Sequence, residues 1–459
     1  MNHDQAGPNG SQGLFFGAAR AVITPPAGSD LSGFIARTQP MVGIHDELYA
    51  RAMVWSPDEE LDHAAALVTI DALDLNRESV AEIRSRATAL SGIPANRIGV
   101  TCTHTHGGAA SMPGRAIGRC EPTYIAFLCQ AAAGAVAMAS AQLAPAAVQF
   151  AKGTESTVGI NRRIEGGITD PDVGILRMQR RDGTVAGMLV NYACHPVTLG
   201  PTNLLATGDY PGYVARSLEA VYPAAHAQFV TGCCGQINTG HRSGQSLRGQ
   251  GSEWRTYGEA ERLGRAVAGA AIQAAEQSAR QDAALPVTGN EITPVTVRVL
   301  RAEVPMPLLD PPAQDALTLM AQTWQRELNQ LEAAGGSPAE IAQRKVYAGW
   351  ANAVQAGTLP TDISAEVMVI GLGDTALVLL PGESFVEFGL AIKQRAAPRP
   401  VLTLAYANGT PGYIPHRSAY PAGGYEVEDA YRYYGYPACF APEAGEAIVD
   451  AACRLLDQL

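Results

Sequence analysis

Ile98-Gly-Val-Thr-Cys-Thr-His-Thr-His-Gly-Gly108 runs from a short apolar strand pattern into a glycine-softened turn. Alternate residues of an extended segment point to the same side, so His104 and His106 can both face one cleft at the strand end. Imidazole is the commonest metal ligand and the usual acid–base group near neutral pH. The same strand-then-turn pattern recurs along the chain. Apolar runs at 65–70, 98–102, 188–193, 229–231, 367–370, 376–380 and 402–405 read as strands. They alternate with helical patterns at 77–89, 124–142, 211–221, 253–279, 312–333, 338–356, 385–395 and 443–458. This alternation predicts an α/β protein with a mixed β-sheet core flanked by helices.

Of the 459 residues, 47% are hydrophobic and 17% charged, which suits a globular protein with a large core. A formal charge of −11 argues against nucleic acid or an anionic membrane as the main partner. The expected partner is a small-molecule substrate, and self-association into a homo-oligomer stays open. No uninterrupted apolar run approaches the roughly 18 residues that span a bilayer. The polar start lacks the pattern of a secretory signal, so a cytoplasmic location is the default expectation. Residues 1–13 are expected to be a flexible tail and 14–459 a single domain. Within that domain, 316–356 is expected to form a helical hairpin turned at Gly335-Gly336, and 242–250 a mobile loop. The eight cysteines lack paired spacing and read as reduced core thiols, with the Cys233-Cys234 pair as a candidate reactive site.

Six polar residues fall at or just beyond predicted strand ends: Asp71, His104, His195, Asn238, Glu383 and Asn408. In α/β sheets that edge is where ligands bind. Pro196 stops the strand after His195 and fixes its turn. Glu383 follows Pro381-Gly382 and is expected to open a helix, whose N-terminus favours the ionised carboxylate. Two histidines and a glutamate from three strand ends meet the usual demand of a catalytic zinc site with one open position.

At this point the chain resembles the catalytic domain of the neutral (non-lysosomal) ceramidases. The resemblance rests on Gly17-Ala-Ala-Arg-Ala-Val-Ile-Thr-Pro-Pro, Gly43-Ile-His-Asp-Glu-Leu-Tyr-Ala-Arg-Ala, Thr103-His-Thr-His and Asn161-Arg162. It continues through the His195 strand end, Gly208-Asp-Tyr-Pro-Gly-Tyr, Gly232-Cys-Cys-Gly-Gln-Ile-Asn, Pro381-Gly-Glu, Gly412-Tyr-Ile and Gly424-Tyr-Glu. It implies a Zn2+ held by His104, His195, Glu383 and Tyr413, with His106, Arg162 and Tyr425 on the substrate side. Two departures stand out. The chain ends too soon after Tyr425 for the family's C-terminal immunoglobulin-like domain. Asn238 occupies the serine position of the family's Gly-Asp-x-Ser-Pro-Asn motif, so it joins the catalytic candidates as a substrate-binding amide rather than a nucleophile.

The expected activity is zinc-dependent hydrolysis of an amide-type C–N bond in a small polar or amphipathic substrate by metal-activated water. Ester or lactone hydrolysis is the alternative, since both reactions pass through the same tetrahedral intermediate. A non-catalytic metal- or ligand-binding protein is the further alternative. A side chain such as Cys234, Thr239 or Ser243 is the competing nucleophile.

Overall fold

The computed structural model describes residues 12–242, 244–245, 253–283 and 293–459. Ala65–Ile70 and Ile98–Cys102, rich in aliphatic residues, form strands with the expected bounds, fully buried and paired in parallel. They end a large mixed sheet. From one edge its strands are His226–Thr231, Val185–Tyr192, Asp172–Gln179, Ala144–Thr154, Gln12–Val22, Tyr49–Ser56, Ala65–Ile70 and Ile98–Cys102. The two outermost pairs are parallel and the inner ones antiparallel. The first strand begins at Gln12 and pairs through Gly13 with Ala147, so the last two residues of the expected tail belong to the sheet.

A second sheet, absent from the sequence reading as a separate layer, orders Val297–Pro305, Ser364–Leu372, Thr375–Leu379 and Val401–Leu404. Its Met368, Ile370, Leu377, Leu379, Leu402 and Leu404 pack against Phe16, Met53, Leu67, Leu176 and Leu189 of the first. Sheet packing is close enough to require glycine: a Cβ on Gly174 would meet Leu402 Cδ2 at 2.1 Å. The opposite face of the large sheet is covered by Arg77–Ser91 and Pro122–Ser140, and by Asp209–Val221 and Tyr257–Ala283. Val386–Ala396 and Pro442–Leu456 cover the outer face of the second sheet. The core is therefore two stacked mixed sheets between helical layers.

Pro122–Ser140 is long and apolar enough to cross a membrane by length and composition, and half of its apolar window is buried in the fold. The expected hairpin consists of Gln314–Ala333 and Pro338–Gln355. The expected 242–250 loop lies mostly outside the described residues. All eight cysteines are free.

After Val401–Leu404 the chain stitches the two sheets together. Ala405 N donates to Thr231 O at 2.9 Å, Cys102 N to Tyr406 O at 3.2 Å, and Asn408 N to Val100 O at 2.8 Å. Asn408 Oδ1 accepts from Val100 N at 3.0 Å, so this strand-end residue is a structural staple. Asp71 is likewise internal, accepting from Tyr49 N at 2.9 Å and Thr103 Oγ1 at 3.2 Å.

Burial raises the Asp71 carboxyl from 3.8 to about 6, against the opposing pull of Arg51 and its hydrogen bonds, with Asp46 adding to the rise. A raised folded-state value makes its stabilising share complete below 3.8 and lost as pH climbs through about 6. That rise corresponds to about 3 kcal/mol. Asp71→Asn keeps an acceptor for Tyr49 and removes the charge. It is expected to raise the thermal midpoint at pH 8, leave it unchanged near pH 3.5, and flatten the stability profile between. Equal midpoints at pH 8 would refute the assignment.

Candidate metal centre

His104, His195 and Glu383 come together where the sheets join, each almost fully buried. One ligand atom from each lies within 4.8 Å of the others. His104 follows the Ile98–Cys102 edge strand and takes a left-handed backbone with φ 64°, a cost a buried functional residue can carry. Its Nδ1 donates to Leu73 O at 2.8 Å and lies 3.3 Å from Asp74 Oδ1. His195 Nδ1 donates to Cys234 O at 2.6 Å and Ile237 O at 3.0 Å. Each Nδ1 is thus committed as a donor to a carbonyl, and each Nε2 faces Glu383 Oε2, at 3.4 Å and 2.9 Å.

Glu383 does not open a helix. It forms a two-residue parallel ladder with Tyr413, and the helix starts at Val386. Its charge has another origin: burial opposes ionisation, but His104 and His195 outweigh it and hold the carboxyl well below the usual range. Burial also opposes a charged His104, yet Glu383 and Asp74 lift that imidazole to about 9. Burial keeps His195 low, with Arg162 and His104 pushing the same way. Positive charge is demanded between His104 and Glu383, where a divalent cation would displace the His104 proton. Two borderline nitrogens and one carboxylate oxygen, with outer hydrogen bonds already in place, suit zinc.

The remaining predicted residues divide. Tyr413 sits beside Glu383 and accepts from Arg162 Nη2 at 3.0 Å, its ring stacked 6.4 Å from that of His195. Arg162 is itself fixed by Glu426 Oε1 at 2.9 Å and Gly235 O at 2.9 Å. Tyr425 meets the Tyr413 ring edge-on at 5.6 Å. The His106 ring lies 5.2 Å from His104, and neither of its buried nitrogens has a hydrogen-bond partner among the described residues. Burial, then His104 and His195, keep it neutral. Gly33, at φ 100°, makes room for this ring, since a Cβ there would meet His106 Nδ1 at 2.2 Å.

Asn238 is placed differently from expectation. Its Oδ1 accepts from Gly240 N at 2.9 Å and His241 N at 3.2 Å, and its Nδ2 donates to His241 O at 2.7 Å. The amide is spent on an Asx-type turn of its own loop. Burial pushes the Cys234 thiol well up, which removes the thiolate a nucleophile needs. Ser243 lies outside the described residues.

Four residues that sequence reasoning missed complete the surroundings. Tyr434 donates to Glu383 Oε1, and the Arg115 guanidinium lies 3.4 Å over the Tyr434 ring. Arg115 in turn pairs with Asp74 at 2.5 Å, closing a circuit back to His104. Tyr406 stacks on His104 at 4.0 Å, with its hydroxyl 3.4 Å from His195 Nε2. Asp74 was visible as a second carboxylate after the same strand as Asp71; neither tyrosine carries a spacing signal.

A family profile described as neutral/alkaline non-lysosomal ceramidase, N-terminal, matches residues 15–253, which include His104, His106, Arg162, His195 and Asn238. A neutral ceramidase of Mycobacterium tuberculosis (strain ATCC 25618 / H37Rv) is 27% identical over 257 residues, 50% of this chain and 40% of that protein. The match therefore spans less than half of that relative's length. The crystal structure of neutral ceramidase from Pseudomonas aeruginosa is similar with a TM-score of 0.70 at 18% identity, covering 98% of this chain and 75% of that one. A ceramidase complexed with C2 gives 0.68 at 17% identity, covering 98% and 76%. Those likenesses are of fold, and they extend over the half that carries Glu383, Tyr413 and Tyr425.

Proposed function

The chain belongs to the neutral/alkaline non-lysosomal ceramidase family, and on that premise we propose that it is a zinc-dependent hydrolase of an amide-type C–N bond in a small polar or amphipathic substrate. The observation that carries this reading is the convergence of two imidazoles and one ionised carboxylate within 4.8 Å. Tyr413, next to Glu383 in the ladder, is the fourth donor. These residues would hold a zinc ion, which when bound would supply Lewis-acid chemistry at the scissile carbonyl.

The chain's own residues do the rest. Asp74 and the carbonyls of Leu73, Cys234 and Ile237 fix the two imidazoles before substrate arrives. Burial pushes the Tyr413 hydroxyl up, and Arg162, held by Glu426, pulls against it, so this oxygen stays polarised. His106 offers an N–H and a lone pair with no partner among the described residues, suited to bind the carbonyl oxygen or pass a proton to the leaving nitrogen. Tyr425, beside Tyr413, contributes a second hydroxyl.

The test combines metal analysis with substrate chemistry. Purified protein should carry about one zinc per chain, and in a matched amide and ester pair the amide should be turned over. Intact-mass trapping under single turnover should show no acyl adduct. Metal-free protein indifferent to added zinc would overturn the site assignment. Turnover of the ester alone would overturn the amide reading, and a trapped adduct would overturn attack by water.

A further inference from the structure

Residues 425–436 are pressed between the metal centre and the helical hairpin. On the inner side, Tyr434 binds Glu383 Oε1 and Glu426 holds Arg162. On the outer side, Arg432 lies among four rings: its guanidinium carbon is 5.4 Å from the Trp324 centroid, 4.9 Å from Tyr347, 5.0 Å from Trp350 and 5.0 Å from Tyr431. Three of those rings belong to the hairpin. Asp429 neutralises the cation and also accepts from Tyr347 Oη at 2.9 Å. Trp350 Nε1 donates to Tyr436 O at 2.7 Å, and Gln343 Nε2 to Tyr433 Oη at 3.3 Å.

None of the hairpin's residues contacts His104, His195 or Glu383 through the hydrogen bonds and ion pairs of the described residues. Its aromatic surface is nevertheless built around one side chain of the segment that supplies Tyr434. A desolvated guanidinium among aromatic faces is held more firmly than an exposed one. Arg432 and Tyr434 share one short helix, Ala430–Tyr434, so a displacement of the first moves the second.

We infer that Arg432 is a positioning residue of the metal centre. The hairpin cage fixes Arg432, Arg432 fixes the Ala430–Tyr434 turn, and that turn holds Tyr434 on the free oxygen of Glu383. The inference rests on the zinc reading above. It assigns the hairpin a task beyond covering the fold: it sets the orientation of a metal-ligand carboxylate from outside the site.

The test measures zinc affinity by competition with a chromophoric chelator, in full-length protein first stripped and then titrated with zinc. Arg432→Leu and Tyr434→Phe should each weaken zinc binding by about 10- to 100-fold, the usual scale for an outer-shell partner. Because both act through one contact, the double variant should lose no more than the weaker-binding single variant. Cobalt substituted for zinc should give a visible absorption band altered alike in both. Wild-type zinc affinity in Arg432→Leu overturns the inference, as does a double variant whose loss is the product of the two single losses. A wild-type protein that binds no zinc overturns the underlying metal reading, and this inference falls with it. If Arg432→Leu does not fold, Arg432→Gln carries the same expectation and the same refutation.

Discussion

His195→Ala and Glu383→Gln are expected to lose bound zinc and turnover together, with activity falling to background. The loss of zinc affinity should lie well beyond the about 10–100-fold that removal of an outer hydrogen-bond partner costs. Each substitution takes away a ligand atom whose orientation the protein has already fixed. His195 spends its Nδ1 proton on two carbonyls and has Nε2 alone to offer. The two variants differ in stability, which separates loss of a ligand from loss of fold. In His195→Ala the buried Glu383 carboxylate loses one of the two imidazoles that favour its charged form and keeps His104 and Tyr434 among the described residues, so stability should fall. Glu383→Gln removes the charge and keeps an acceptor for Tyr434, so its melting temperature should fall less. Elemental analysis, turnover and thermal melts on the same samples check this. Wild-type zinc content in Glu383→Gln would show that the carboxylate is not a ligand.

Much of this centre was legible because strand ends are punctuated. Cys102 and Pro196 bracket the histidines in segments whose apolar runs admit little but strand, and both imidazoles lie where the runs stop. Glu383 was found for a partly wrong reason: Pro381-Gly382 does break the strand, but a short ladder with Tyr413 intervenes before the helix. Strands such as Gln12–Val22 and Ala144–Thr154 were missed, since their alanines and glycines carry weak strand preference and their pairing is decided by neighbours distant in sequence. The stacking of two sheets is similarly invisible, because a strand buried on both faces reads the same in one layer or two. Tyr434 and Arg115 reach the site by side-chain length across the fold, and no local pattern announces that. Asn238 was read as an amide offered to the substrate, while in the fold its amide is taken up by the Asx turn of its own loop, which no sequence spacing announces.

His106→Ala should leave zinc content near one per chain and lower kcat by about 10²–10⁴-fold, the range for a lost acid–base group or oxyanion donor. The geometry separates this histidine from its neighbour two residues earlier. His104 commits Nδ1 to Leu73 O and faces Nε2 to Glu383, whereas both His106 nitrogens lack a partner among the described residues. The His106 ring packs instead against Phe34 at 4.7 Å and above Gly33. Deleting it therefore removes nothing from the inner donor set, and the stability cost should be that of a modest cavity. Tyr425→Phe gives the companion measurement, since it takes away one hydroxyl while keeping the ring contact with Tyr413. It too should retain zinc and lower kcat more than it raises KM, because a contact made chiefly in the transition state appears in kcat. Zinc loss in His106→Ala equal to that in His104→Ala would reverse the roles of the two histidines, and His106→Ala with unchanged kcat would remove it from the chemistry.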